Sequence, residues 1–220
     1  MLENTKNSFL KMIILIVSFL LLSCSQKKSG VIEETLGLCD STINYNTEFN
    51  RNRFEKFIYG DFEIFKVFEG RLNSEDTIKD VILVLKFVNE IEHIKTDTDP
   101  IRPLLILIKQ INGNYLLSCK SDSAIISPLL GGTLGDPFKG ITFDSIGLFT
   151  IHHLSGSFER CETKETFSFN TKDKEWVLTS RNIRCFVPFE NDSIIYSNHL
   201  TVKDFGKVML SEYSVYKEFP

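Results

Sequence analysis

The sequence is short of the local signatures that usually announce chemistry. No Gly-x-x-x-x-Gly-Lys-Ser/Thr loop is present to cradle phosphates, and no G-x-G-x-x-G opens a helix. Ser155-Gly-Ser157 lacks the flanking glycines of a hydrolase nucleophile elbow. None of the cysteines stands in a Cys-x-x-Cys pair, which argues against a structural zinc site or a thioredoxin-type redox motif. The strand–helix alternation of a parallel nucleotide-binding sheet is missing, as is any repeat regular enough for a propeller. Net charge is −4, with no basic patch, so no nucleic-acid partner is expected.

What is present begins at the N-terminus. Lys6 and Lys11 precede the apolar run Met12–Leu22. A basic segment followed by a short apolar one is the anatomy of a secretory signal, and the run is shorter than the ~20 residues a membrane span needs. Leu21-Leu22-Ser23-Cys24 follows, then the polar Ser25-Gln26-Lys27-Lys28. This stretch resembles the lipobox of bacterial lipoproteins: a branched apolar residue, a tolerant position, a small residue, then cysteine. The resemblance implies cleavage before Cys24 and acylation of its thiol and new amine, with membrane lipid as partner. Each buried CH₂ of such chains contributes about 0.8 kcal/mol. The acidic run that some bacterial lipoproteins use for surface export is missing, and Lys27 and Lys28 stand in its place. The expected location is therefore the periplasm-facing side of an envelope membrane.

After Cys24 four cysteines remain, Cys39, Cys119, Cys161 and Cys185, which allow three full pairings. Cys161 and Cys185 flank a hairpin and are a candidate disulfide; the alternative is buried free thiols acting as small hydrophobes.

From Asp61 onward the pattern is mostly strands. Val81–Leu85 and Leu104–Ile108 are continuous apolar runs, suited to strands buried on both faces. Asn112-Gly113 is a strong hairpin signal. Further hairpins are expected around Asp144–Gly147, and between Thr166–Asn170 and Trp176–Thr179. Thr47 is a candidate N-cap for a short helix carrying Phe54 and Phe57, while Val202–Tyr216 reads equally as helix or strand. Nineteen Phe supply one core. The fold expected is mainly β, with β-rich α+β as the alternative: an antiparallel meander of hairpins in one domain with few short helices. The organisation read is 1–23 signal peptide, 24–45 lipid-anchored tether, and 46–220 a single β-rich domain.

Three stretches are candidates for chemistry. Gly70-Arg-Leu-Asn-Ser-Glu-Asp before an apolar strand resembles the calcium loop of FG-GAP or VCBS-type repeats. That family's first ligand position is here Arg71, a cation, and Asp80 falls one residue late. The oxygens left to a cation belong to Asn73, Glu75, Asp76 and Asp80, against six to eight that calcium wants. The reading is a polar loop that launches a strand, with no cofactor required and calcium as the alternative. Pro128–Ile141 is a glycine- and proline-rich shaped loop. It is either a turn packing Leu130, Leu134 and Phe138 on the sheet or a ligand loop using Gly131, Gly132, Gly135 and Asp136. His152 and His153 are adjacent on a strand and point to opposite faces. Each is read as a surface or half-buried residue, and Glu159-Arg160 with Glu162–Glu165 as solvated hairpin charges.

The order Arg102-Pro-Leu-Leu-Ile-Leu, Asn-Gly-Asn-Tyr-Leu-Leu, Gly-Gly-x-x-Gly-Asp-Pro-Phe-x-Gly-Ile-Thr, Phe-Thr-Ile-His-His and Phe-Ser-Phe…Trp-Val-Leu resembles a group of uncharacterised bacterial lipoproteins and exported proteins. The resemblance implies a fold and a location, not an activity. The leading expectation is a non-enzymatic binding or structural module whose partner is an envelope protein or glycan. The alternative is an envelope hydrolase or carbohydrate-binding protein with a cleft near Asp136 and His152. The anchor is tested by Cys24→Ser, which is expected to yield an unprocessed or soluble form; partition with membranes unchanged from wild type overturns the lipobox reading.

Overall fold

A computed structural model describes residues 52–73, 79–96, 99–190 and 193–219. The expected signal segment, Cys24, the tether, Cys39, Thr47, Glu75 and Asp76 lie outside the described residues.

Two antiparallel meanders make the body. The first sheet runs β1 (Phe62–Gly70), β2 (Asp80–Phe87), β3 (Leu104–Lys109) and β4 (Tyr115–Ser121), in that order. The second runs β5 (Phe138–Ser145), β6 (Leu148–Gly156), β7 (Arg160–Asn170), β8 (Glu175–Val187) and β9 (Ser193–Thr201). Short helices fill the connections: α1 (Glu90–Lys95), 3₁₀ turns at Pro128–Leu134 and Pro188–Glu190, and α2 (Val202–Phe205). The mainly β meander read from the sequence is the fold observed.

The apolar runs of β2 and β3 are buried on both faces because the two faces meet different neighbours. Ile82, Val84, Leu104 and Ile106 join Ile141, Phe149, Ile151, Phe167, Trp176 and Leu178 of the second sheet in one core. Their odd-numbered partners Val81, Leu83, Leu85, Leu105 and Leu107 form a second cluster, covered by Phe54 and the half-buried Phe57 from the helical turns ahead of β1. Alternation along a strand divides one sequence between two cores, and each fully buried side chain contributes about 1.5–3 kcal/mol. The sheets approach closely at Gly70, where an added Cβ would sit 2.3 Å from the Phe143 ring. The Asn112-Gly113 turn forms as read: Gly113 takes φ +83, and its amide donates to Gln110 O.

After α2 the chain crosses back over the second sheet. The amide of Leu210 donates to Trp176 O, and that of Leu178 to Val208 O. Leu210, Tyr213 and Val215 close the shared core. This resolves the ambiguous Val202–Tyr216 stretch as one helical turn, a single bridge and coil.

The last hairpins are longer than the apolar pattern indicates. β7 spans 11 residues and β8 spans 13. Their Phe167–Trp176 end packs on the first sheet, whereas the end carrying Cys161 and Cys185 contributes to neither core. Uncovered strand has no need of apolar alternation, so that half reads as loop. Cys161 and Cys185 are register partners there and are joined in a disulfide. It cross-links strands that lack a core beneath them. Replacing both by serine is expected to cost about 2–4 kcal/mol in denaturant unfolding; an unchanged midpoint with an unchanged slope counts against this role.

Candidate functional site

A concavity lies where the two sheets part, beside the β5–β6 turn. Its volume is about 460 Å³. Backbone bonds fix one wall: the Gly147 amide donates to Arg71 O at 3.2 Å, and the Phe169 amide to Gly147 O at 3.0 Å. A single turn is thereby tied to the end of β1 and to β7. Across the cleft, the Trp176 indole N–H of β8 donates to Ser118 Oγ of β4 at 3.2 Å. Trp176 is itself held between Phe149 and Phe169, with ring centroids at 5.4 and 5.2 Å.

The lining divides by chemistry. Leu72, Ile108, Phe169 and Trp176 give apolar surface, while Asn73, Ser118, Ser145, Ser168 and Thr171 bring hydroxyl and amide groups. Among the described residues that line the cleft none is ionisable. An apolar floor with several uncharged donors and acceptors suits the general form of a small-ligand site. The sequence reading missed this cleft, because its residues come from the β1–β2 loop, β3, β4, the β5–β6 hairpin and the β7–β8 hairpin with no local pattern among them. The one sequence signal was the Gly70–Asn73 loop, which contributes a corner.

Several of the described residues singled out for chemistry hold the fold together. Asp80 is buried, and its carboxylate accepts three amides, from Leu72, Asn73 and Lys109, each at 2.9 Å. Aspartate is needed there because one side chain ends the β1–β2 loop and caps β3. Those bonds engage both oxygens of Asp80. Among the described residues no group of three or more His, Cys, Asp or Glu side chains is arranged to hold a metal ion.

Asp136 is likewise committed. Arg102 Nη1 donates to both its oxygens at 2.8 and 2.7 Å, and the Phe138 amide donates to Oδ1 at 3.0 Å. The other edge of the guanidinium donates to both oxygens of Glu90 at 2.8 and 2.9 Å, and its carbon lies 4.2 Å from the centre of the Phe65 ring. Burial works against the charge on Arg102, but the bonds to Glu90 and Asp136 outweigh it and raise its pKa. The glycine-rich loop is therefore an anchored corner. Its Gly131 is buried, whereas Gly132 and Gly135 are exposed with φ +65 and +69. A Cβ on Gly132 would lie 2.6 Å from Gly156 O, so the loop rests directly on the end of β6. Phe138 enters the core, but Leu130 stays exposed, a correction to the packing expected of it.

The histidines separate as alternation requires. His152 bonds Thr142 Oγ1 at 2.8 Å, and burial lowers its pKa, with Lys164 adding to the effect. His153 is fully buried, a correction to its reading as a surface or half-buried residue. Its Nε2 accepts the Ile126 amide at 3.2 Å, which leaves the proton on Nδ1 facing Glu165 Oε2 at 3.3 Å. Glu165 is fully buried, not a solvated hairpin charge. It also accepts the Tyr213 hydroxyl at 3.2 Å, which ties the C-terminal segment to β7. His152 and Asp136 thus have separate partners. Burial also pushes the Cys119 thiol up to about 11, which keeps it protonated at neutral pH.

Compared with known proteins, the chain matches no family model, no curated protein and no solved structure.

Asp80→Ala leaves three amides without their acceptor, each costing about 1–3 kcal/mol where buried. The expected result is a loss of several kcal/mol, with thermal melting of the wild type insensitive to calcium or chelator. A melt raised by calcium and reversed by chelator overturns the structural assignment of this loop.

Proposed function

We propose that this chain is a lipid-anchored, non-catalytic binding module of a bacterial cell envelope, facing the periplasm, and that the Trp176 cleft takes an uncharged, hydroxyl-rich ligand such as a glycan segment. The observation that carries the reading is the lining of that cleft. A charged ligand would enter it without a counter-charge, at a large desolvation cost. A purely apolar ligand would leave the hydroxyls of Ser145, Ser168 and Thr171 facing hydrocarbon. A sugar offers both an apolar face and hydroxyls, and so answers both halves of the lining.

The anchor is supported by the Lys6–Cys24 sequence and its lipobox resemblance. The non-catalytic part is supported by the employment of Asp80, Asp136 and His153 in holding loops and strands together.

Trp176 is the single tryptophan of the chain, so its fluorescence reports on the cleft directly. Titration with neutral oligosaccharides released from bacterial envelopes is expected to give a saturable change. Ser118→Phe, which fills the cleft from the exposed end of β4, should weaken binding about tenfold or more, equivalent to about 1.4 kcal/mol. No saturable change with any neutral oligosaccharide, or an affinity untouched by Ser118→Phe, sinks the proposal.

A further inference from the structure

Folding leaves apolar surface open at the overhanging end of the second sheet. Phe158 in the β6–β7 turn and Phe189 in the turn after β8 stack with ring centroids 6.2 Å apart, and are 60% and 75% exposed. Strand register brings the two turns to one end. Gly156 is opposite Arg160, Arg160 opposite Phe186, and Phe186 opposite Ile194, which is itself 58% exposed. The next register pair inward is Cys161 and Cys185, whose disulfide joins β7 to β8. The aromatic pair therefore stands on a cross-linked base. Charge begins immediately behind it. Glu159 and Arg160 follow Phe158 in the chain, Glu162 pairs with Lys164 at 3.0 Å, and Arg184 is exposed.

We propose that this end is a membrane-docking tip, which seats Phe158 and Phe189 at the headgroup–acyl boundary of the bilayer that carries the chain's own lipid. The proposal rests on the lipid-anchored reading of Cys24. Two observations select lipid as the occupant. First, the chain from Cys24 to Asn52 reaches at most ~3.3–3.6 Å per residue, which keeps the domain within on the order of 100 Å of that bilayer. Second, the two rings are carried on turns of strands that run past the shared core, so they protrude. A folded partner needs a pocket shaped for both rings, whereas a fluid bilayer accepts apolar groups wherever they meet it. The charges then set the depth. Glu159 and Glu162 offset Arg160 and Arg184, so burial of the rings holds the tip, not attraction to anionic lipid. The same four groups stay in the headgroups and limit entry to the ~5–10 Å typical of interfacial segments.

The chain has one tryptophan, the buried Trp176, so a tryptophan placed at the tip is read against a fixed background. Phe158→Trp and Phe189→Trp are each made in the acylated full chain and mixed with vesicles of phosphatidylethanolamine and phosphatidylglycerol. Emission is expected to shift to shorter wavelength and to be quenched by bromine on the lipid acyl chains. Bromine near the headgroup should quench more than bromine near the terminal methyl. Ile111 is 90% exposed in the β3–β4 turn, and β4 meets Trp176 at the end of β8 away from Phe189. Ile111→Trp should therefore stay unquenched, like the parent. Adding Phe189→Asp to Phe158→Trp is expected to abolish the quenching while the chain still floats with the vesicles. Flotation separates the two readings. A chain that floats with its tip tryptophans unquenched, whether in water or under a protein or a second copy, overturns the tip and leaves the anchor standing. Equal quenching at positions 111 and 158 does the same. A chain that does not float overturns the anchor, and the tip with it.

Discussion

The constraint from which the architecture follows is the two-sided burial of β2 and β3. Ten positions of these two strands, in the runs Val81–Leu85 and Leu104–Ile108, are apolar, and strands alternate their faces. Neither face tolerates water, so two covers are needed. The helical turns carrying Phe54 and Phe57 supply one, and the five-stranded sheet supplies the other. The second cover is larger than what it covers. β3 is 6 residues long, whereas β7 and β8 run to 11 and 13. The surplus length projects past the shared core. A cross-strand disulfide holds it, and its outer strand, β9, pairs with β8.

Buried charge positions the remaining segments around that core. Arg102 joins α1, through Glu90, to the entry of β5, through Asp136, while its face rests on Phe65. Two carboxylates face one guanidinium, a geometry whose value lies in its pairing: loss of the arginine would leave two anions together in poorly solvated surroundings. Glu165 does the same for the far side, receiving Tyr213 from the C-terminal segment and facing His153 of β6. Asp80 secures the β1–β2 loop to β3 by accepting backbone amides alone. Each of these groups would pass for a catalytic residue on composition, and each is consumed by connecting chain segments that are distant in sequence.

This explains what was legible in the sequence. The strands with a core beneath them show it in their residues: the β2 and β3 runs, the Asn112-Gly113 turn, and the Phe167–Trp176 hairpin. Period-two alternation records burial, so it fades where burial stops; the disulfide half of β7 and β8 read as charged loop, and β9 was not read as a strand. The same limit hid Glu165, whose neighbours Lys164 and Thr166 are half-buried and whose partners lie 12 and 48 residues away. The cleft was illegible for a related reason. Most of its lining is serine, threonine, leucine and isoleucine, residues without a spacing rule, brought together only once two sheets have packed.

The Trp176 cleft is a surface left unspent by folding. In the Trp176 cleft no fixed charge contributes, so discrimination among ligands rests on matching hydroxyls to the positions of Ser118, Ser145, Ser168 and Thr171, and salt should change affinity little. The rigid backbone bonds of Gly147 and the indole bond to Ser118 set those positions before a ligand arrives, which lowers the entropy lost on binding.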